Sequence, residues 1–193
     1  MKNNPRLIVG ISGASGIIYG IRLLQLLRSL PIETHLVVSK SAQLTREYET
    51  ELSVSELKSM ADVYHPINDI GANIASGSFK ALGMIVAPCS MKTLAEIAHG
   101  ISTNLIGRAA DVMLKDRRKL VLMTRESPLH LGHLENMVKV TMQGGIICPV
   151  MPAFYNNPQT VADVVDHSVG RALDLFDIDS GVVKRWDPDQ DAY

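Results

Sequence analysis

A turn rich in glycine and serine lies between an apolar run and a helical pattern near the start of the chain. Leu7 to Ile11 has the composition of a buried strand, Ser12-Gly13-Ala14-Ser15-Gly16 follows, and a 3.6-residue apolar period continues to Leu30. Free N–H groups and the positive end of a helix dipole favour an anion at such a turn. The turn predicts a phosphate site, and a tight turn that needs glycine only for packing is the alternative.

The spacing of the glycines narrows the choice of ligand. Glycines at positions 10, 13 and 16 do not form G-x-G-x-x-G, and no Gly-Lys-Ser/Thr ending follows them. A mononucleotide such as FMN therefore fits the turn better than NAD or ATP.

Further polar residues follow other predicted strands. Hydroxyls, cations, an acid and a phenol occur in the segments Ser39-Lys40-Ser41, Cys89-Ser90-Met91-Lys92-Thr93, Arg125 to His130 and Pro152-Ala153-Phe154-Tyr155. In an open parallel sheet, ligands bind beyond the carboxyl ends of the strands, so we expect these segments to converge. Ser39 and Ser90 suit helix capping equally well, because capping uses the same hydroxyl.

Arg125 and Glu126 form a charged couple directly after a buried strand, where each must be solvated, paired or in contact with a ligand. An arginine there suits a phosphate, since charge-assisted hydrogen bonds are among the stronger ones. The alternative is a structural ion pair between the two residues or with Lys119. Arg117 and Arg118 are expected to form a solvated face at a helix end.

The cysteines and histidines give weaker signals. Cys89 has no adjacent histidine to act as a base, so we interpret it as a small buried residue. His130 and His133 lack the H-E-x-x-H pattern, and we predict no metal site. Cys89 and Cys148 lie far apart in sequence and are expected to be reduced thiols.

Short apolar runs alternate with helical patterns, which predicts a single doubly wound α/β domain with a parallel sheet. Residues 1–185 form this domain in the prediction, and the acidic residues 186–193 form a mobile tail. Predicted strands are Leu7–Ser12, Thr34–Ser39, Met84–Pro88, Leu120–Thr124 and Ile146–Pro149, with a weaker one at Val63–His65. Predicted helices are Gly16–Leu30, Ser41–Glu49, Val54–Met60, Met91–Ala98, Leu105–Arg117, Leu131–Gln143 and Thr160–Phe176.

Composition excludes several classes of protein. The 193 residues suit one domain, and 19 Lys plus Arg against 20 Asp plus Glu give a formal charge of −1. This balance removes the global electrostatic case for a nucleic-acid or membrane partner. No apolar stretch approaches the roughly 20 residues that span a bilayer. We therefore expect a cytoplasmic protein.

Six ordered blocks of residues give the chain a family resemblance. They are Gly10–Gly16, Pro88–Thr93, Asn104–Lys115, Leu120–Leu129, His133–Met137 and Pro152–Tyr155. Together they resemble the UbiX-like flavin prenyltransferases, a group formerly described as hydroxybenzoate or phenylacrylate decarboxylases. The resemblance implies a flavodoxin-like fold, a homododecamer with FMN sites at subunit interfaces, and no need for a metal.

The resemblance also implies a reaction and a set of roles. Dimethylallyl phosphate prenylates reduced FMN at N5, ring closure onto C6 follows, and the product serves a separate UbiD-like decarboxylase in ubiquinone synthesis or aromatic acid metabolism. Ser15 and Glu126 are the implied catalytic residues, and Lys115, Tyr155 and Arg171 surround the prenyl phosphate. The implied FMN-binding residues are Gly13, Ala14, Ser15, Ser39, Ser90, Met91, Lys92, Thr93 and Arg125.

Two other functions are alternatives to prenyl transfer. Oxidative decarboxylation of cysteine-containing substrates would need a Pro-x-Met-Asn motif, where this chain has Pro152 to Tyr155. An accessory subunit that only delivers or stores FMN would not need Glu126.

The chain also carries Thr124 and Ser127 where relatives often have proline and threonine or alanine, and its loop before Ser76 is shorter than in some relatives.

Overall fold

The computed structural model describes residues 4–185 and shows a parallel sheet with helices on both faces. The strands are β1 (Arg6–Ile11), β2 (Glu33–Val38), β3 (Val63–His65), β4 (Gly83–Cys89), β5 (Lys119–Thr124) and β6 (Ile146–Ile147). The helices are α1 (Ile17–Leu27), α2 (Lys40–Glu49), α3 (Val54–Ser59), α4 (Met91–Ala98), α5 (Leu105–Lys115), α6 (Leu131–Met142) and α7 (Val161–Asp174).

The sheet has the strand order β3-β2-β1-β4-β5-β6, and every neighbouring pair is parallel. The chain leaves β1 toward one side of the sheet for β2 and β3, and then returns to the other side of β1 for β4. The order therefore reverses between β1 and β4, and a crevice opens there at the carboxyl edge of the sheet. The predicted doubly wound, flavodoxin-like fold is confirmed.

Alternate residues of each strand pack into two apolar cores, one on each face of the sheet. Leu7, Val9 and Ile11 of β1 pack with α1 and α7, whereas Ile8 packs with α4 and α5. Both faces are covered, which explains why the strands are apolar throughout. The two cores hold the strand ends, and thus the turns after them, in fixed positions.

A few elements differ from the sequence prediction. The final strand stops at Ile147, although the N–H groups of Cys148 and Val150 still bond to carbonyls of β5. No helix was predicted between β3 and β4, and the structure has a short 3-10 turn there at Asn73–Ala75. The predicted tail, 186–193, lies outside the described residues. Within residues 4–185, no helix has the length and apolar character that crossing a membrane requires.

Candidate functional site

Ser12 joins the turns after β1 and β4, the two strands that flank the crevice. Its buried hydroxyl donates to the carbonyl of Pro88 at 3.0 Å and accepts from the N–H of Ser90 at 2.8 Å. A serine at the end of a buried strand is thus satisfied by a segment 76 residues away. The bond fixes the start of α4 against the glycine-rich turn.

Gly13 brings the same turn into close contact with α2. A Cβ atom at Gly13 would lie 2.3 Å from the Oγ of Ser41 and 2.4 Å from its Cβ, well inside van der Waals contact. Only glycine allows the backbone this approach. The turns after β1, β2 and β4 therefore form one continuous surface.

A carboxylate of the chain itself occupies the N-terminus of α1. Glu49 Oε2 accepts from the N–H groups of Gly16 at 2.9 Å and Ile17 at 3.0 Å. Gly16 has a left-handed conformation with φ of 100°, which turns its N–H group toward Glu49. The negative charge of Glu49 neutralises the end of the helix that the sequence analysis assigned to a phosphate.

The N-termini of α2 and α4 lie at a neighbouring cleft of about 410 Å³. Ser39 caps α2 by accepting from Ala42 N at 3.1 Å, and Ser90 caps α4 by accepting from Thr93 N at 3.3 Å. Both serines line the cleft, so capping and ligand contact are compatible, as the sequence allowed. The cleft is also lined by Lys40, Ser41, Ile67, Asn68, Lys92, Thr93, Glu96, Thr103, Asn104 and Ile106.

The cleft has a surplus of hydrogen-bond donors. The first two amides of α2, at Lys40 and Ser41, have no carbonyl partner among the described residues, and neither do those of α4, at Met91 and Lys92. The dipoles of the two helices and the ammonium of Lys40 add positive charge. Lys92 instead pairs with Glu96 at 2.9 Å. The cleft thus has the chemistry of an anion site.

Arg125 and Glu126 are exposed at the carboxyl edge, directly after β5. Arg125 N donates to the Cys89 carbonyl at 3.2 Å, which joins this turn to the end of β4. Within residues 4–185 the Arg125 guanidinium has no ion pair, and Glu126 accepts only from the N–H of Ser127. Lys119 pairs with Asp177 instead, so the alternative of a structural ion pair is wrong for the described residues.

Lys115 lies at the opposite edge of the sheet. It is the last residue of α5, which runs back toward the start of β5, where Lys119 pairs with Gly83. Its ammonium is 2.7 Å from Asp116 Oδ1, and this hydrogen bond lowers the pKa of the Asp116 carboxyl. Lys115 of this chain therefore does not share a surface with Ser90 and Arg125 of the same chain.

Arg118 corrects one expectation. It was predicted to be solvated, but its side chain is only 14% exposed and donates to the carbonyls of Phe79 and Gly77. Gly77 in turn lies against Lys115 and Asp116, since a Cβ there would be 2.8 Å from an atom of each. Arg118 thus holds residues 77–79 beside Lys115. Arg117 is exposed, as predicted.

Tyr155 lies beside α7 and Arg171 lies on it, in the layer that also holds α1. The ring of Tyr155 meets the ring of His167 edge-to-face, with centroids 6.0 Å apart. Arg171 is one helical turn beyond His167 and pairs with Asp174 at 2.9 Å. The predicted site residues therefore form three groups in one chain: at the carboxyl edge, along α7, and at the opposite edge.

Comparisons with known proteins identify the family. A model of the flavoprotein family matches residues 1–184. The flavin prenyltransferase UbiX of Neisseria meningitidis serogroup B is 58% identical over 181 residues, which cover 94% of this chain and 96% of that protein. This chain belongs to the UbiX-like flavin prenyltransferases.

Solved UbiX structures agree with this placement. The crystal structure of AnUbiX in complex with FMN and dimethylallyl pyrophosphate has a TM-score of 0.94 and 52% identity, covering 95% of this chain and 98% of that one. A dodecameric FMN-dependent UbiX-like decarboxylase from Escherichia coli O157:H7 has a TM-score of 0.92 and 52% identity, covering 94% and 99%. The peptidyl-cysteine decarboxylase EpiD, at 17% identity, shares the fold alone.

The structural roles of Glu49 and Arg118 in this UbiX-like chain were not predicted from the sequence. Glu49 and Arg118 act on backbone groups 33 and 41 residues away, so no local pattern reveals them. The position of Lys115 could have been predicted from the sequence. A helix that precedes a parallel strand must end near the start of that strand, which is the edge opposite the predicted site.

The structure also places the cysteines and two histidines that the sequence analysis discussed. Cys89 is fully buried, and burial raises the pKa of its thiol, which confirms the prediction of a small buried residue. His130 and His133 stack their rings, with centroids 3.5 Å apart, at the start of α6. Both cysteines are free thiols, as expected.

Proposed function

We propose that this chain transfers a dimethylallyl group from dimethylallyl phosphate to reduced FMN, first at N5 and then by ring closure onto C6. The bond between the prenyl carbon and the phosphate oxygen breaks, and phosphate leaves with the proton that N5 loses. The proton that C6 loses is balanced by one that the prenyl double bond gains. Reduced FMN supplies the nucleophilic N5 and C6 atoms, and the net change is the addition of C5H8.

The observation that carries the proposal is the cleft at the N-termini of α2 and α4. Free amides, capping hydroxyls and Lys40 suit the phosphate of FMN better than the N-terminus of α1, which Glu49 already neutralises. The turn after β1 lies directly beside this cleft, because Gly13 packs against Ser41, one of the lining residues. The proposed FMN-binding residues are Gly13, Ala14, Ser15, Ser39, Ser90, Met91, Lys92, Thr93 and Arg125.

The catalytic step requires charge and proton transfer. Glu126, exposed beside Arg125, relays the proton from N5 to the departing phosphate. The hydroxyl of Ser15, in the turn after β1, assists this proton transfer. Lys115, Tyr155 and Arg171 bind the prenyl phosphate and stabilise its negative charge as it leaves. Lys115 and Arg171 supply the positive charge that the reaction needs, so the scheme includes no metal.

One chain alone does not bring these groups together, because Lys115 lies at the edge opposite Arg125. We therefore place each site between copies of the chain in a homododecamer, as supported by the dodecameric relative. Packing of the copies also encloses the prenyl group, which must be shielded from water because water would capture a carbocation-like carbon.

The product identifies a class of partner. A prenylated flavin serves as the cofactor of a second enzyme, and we propose that it passes to a UbiD-like decarboxylase in ubiquinone or aromatic acid metabolism. We place both proteins in the cytoplasm.

The test is anaerobic incubation of the purified protein with reduced FMN and dimethylallyl phosphate, followed by mass spectrometry of the flavin. We expect a flavin heavier by one C5H8 unit, absent when protein is omitted. Glu126→Gln should bind FMN and lose the product, whereas the control Glu135→Gln, on the exposed side of α6, should retain it. If the wild type binds FMN but forms no product with either the monophosphate or the diphosphate, the accessory-subunit hypothesis replaces this one.

A further inference from the structure

The segment that carries Tyr155 has no regular secondary structure. Residues 152–159 connect β6 to α7 without a helix or strand, and the Tyr155 side chain is 59% exposed. An exposed phenol in such a segment has many accessible rotamers, and fixing one has an entropic cost. A residue that acts on a small phosphate needs an orientation set in advance.

His167 of α7 provides a fixed surface for this segment. Its ring is half-buried and meets the Tyr155 ring at an interplanar angle of 88° and a centroid distance of 6.0 Å. This is the edge-to-face geometry that aromatic pairs prefer. The Tyr155 ring thus rests against a side chain that the helix backbone holds in place.

The imidazole is held by a second residue of the same segment. The amide Nδ2 of Asn156 lies 2.8 Å from Nδ1 of His167. Because Nδ2 can only donate, Nδ1 accepts and the ring carries its proton on Nε2. Two consecutive residues of the segment, Tyr155 and Asn156, thus contact one imidazole.

The charge environment matches a neutral ring. Burial lowers the pKa of His167, and Arg171 lowers it further, whereas Asp174 raises it. A neutral His167 therefore adds no second cation beside the guanidinium of Arg171.

We infer that His167 is a positioning residue that holds Tyr155 beside Arg171, so that the phenol and the guanidinium address the same prenyl phosphate. This inference rests on the proposed function, because the phosphate is its ligand. His167 itself contacts no reacting atom in the scheme. Its contribution is to the binding of the prenyl donor and not to that of the flavin.

The first test reads the position of Tyr155 directly and needs no turnover. All 5 tyrosines are replaced by 3-fluorotyrosine, and the fluorine NMR signal of residue 155 is assigned from its loss in Tyr155→Phe. We expect this signal to move toward that of free fluorotyrosine in His167→Ala and to stay near its original position in His167→Phe, which keeps the ring. An unchanged signal in His167→Ala overturns the inference.

The second test is kinetic. Removing one aromatic edge-to-face contact should raise the KM for dimethylallyl phosphate between about twofold and tenfold in His167→Ala, with the Kd for FMN unchanged. His167→Phe should recover most of the loss, and Asn156→Ala, which leaves α7 intact, should show a smaller rise. His99→Ala is the matched control, since His99 also bonds an asparagine, Asn136, at 3.2 Å but lies at the C-terminal cap of α4.

The outcomes separate the two hypotheses. A loss of kcat at unchanged KM, or a His167→Phe variant as impaired as His167→Ala, contradicts a positioning role. If the wild-type protein forms no prenylated flavin, the proposed function fails, while the NMR experiment still decides whether His167 positions Tyr155. If His167→Ala does not fold, Asn156→Ala decides by both measurements: an unchanged Tyr155 signal and an unchanged KM overturn the inference.

Discussion

The contact between Gly13 and Ser41 provides a sharp test of how the turns are assembled. In Gly13→Ala the new methyl group would lie 2.3 Å from Ser41 Oγ, where ordinary contacts begin at 3.4 Å, so it is about 1.1 Å too close. Rotation of Ser41 cannot relieve this, because the Cβ of Ser41 is also only 2.4 Å away and moves with the backbone. The turn after β1 must therefore shift away from α2.

The expected magnitude follows from this overlap. Overpacking of this kind costs about 1–3 kcal/mol in the free energy of unfolding. In a chain of this size that lowers Tm by about 2–12 °C, at 2–4 °C per kcal/mol. The affinity for FMN should fall as well, since the same shift displaces the turn from the cleft.

A compensating substitution makes the reasoning refutable. Ser41→Gly removes both Oγ and Cβ, and the nearest remaining atom to the new methyl group is the Ser41 carbonyl carbon at 3.1 Å. Ser41→Gly alone should cost about 0.5–1 kcal/mol, as glycine does in a helix. The double variant should nevertheless be more stable than Gly13→Ala, with a coupling of at least about 1 kcal/mol.

The assay is urea unfolding at one fixed subunit concentration, together with titration of FMN. Gly71→Ala is the control, because a Cβ there would meet only Asp69 Oδ1 at 3.7 Å, and it should change stability by less than about 0.5 kcal/mol. Strict additivity of the two single variants would show that the contact does not determine the position of the turn.

Three further predictions concern other parts of the chain. Glu49→Ala should lower stability by about 0.5–2 kcal/mol in thermal unfolding because it removes the cap of α1, while Glu51→Ala, at an exposed acid two residues further along the chain, should have little effect. Burial, and to a smaller extent His35, lowers the pKa of His65 below 6.5, so the unfolded chain binds more protons than the folded one. The free energy of unfolding should therefore fall as the pH drops below about 6.5. His65→Asn should flatten this dependence in urea titrations at pH 5 and 8. Burial raises the pKa of the Cys89 thiol, so iodoacetamide at pH 8 should alkylate it slowly in the native protein and rapidly in urea. Mass spectrometry measures the two rates, and equal rates would contradict the burial of Cys89.

Much of the fold could be predicted from the sequence because its signals are local. The apolar strands and the helical periods lie within short windows, and the structure confirms them. The capping serines Ser39 and Ser90 were predicted for the same reason. Strand β6 was predicted too long because Cys148 and Val150 continue the ladder only irregularly.

The candidate site was less predictable because its decisive contacts are long-range. Glu49 occupies the N-terminus of α1, where the glycine-rich turn predicted a phosphate. Arg118 is held in a half-buried position by carbonyl groups of a segment about 40 residues away. A basic residue at a helix end is usually solvated, and only the tertiary structure shows that Arg118 is not. The roles of Ser15, Glu126 and Lys115 stay predictions from the resemblance.

The hydrogen bonds of Ser12 have a consequence for folding. They join two halves of the sheet, β1-β2-β3 and β4-β5-β6, that are far apart along the chain. The early half can form from its own neighbouring strands, but the crevice is complete only when β4 docks against β1. Long-range contacts of this kind slow folding. We expect that FMN cannot assist the early half, and that flavin capture during refolding reports the docking of the two halves.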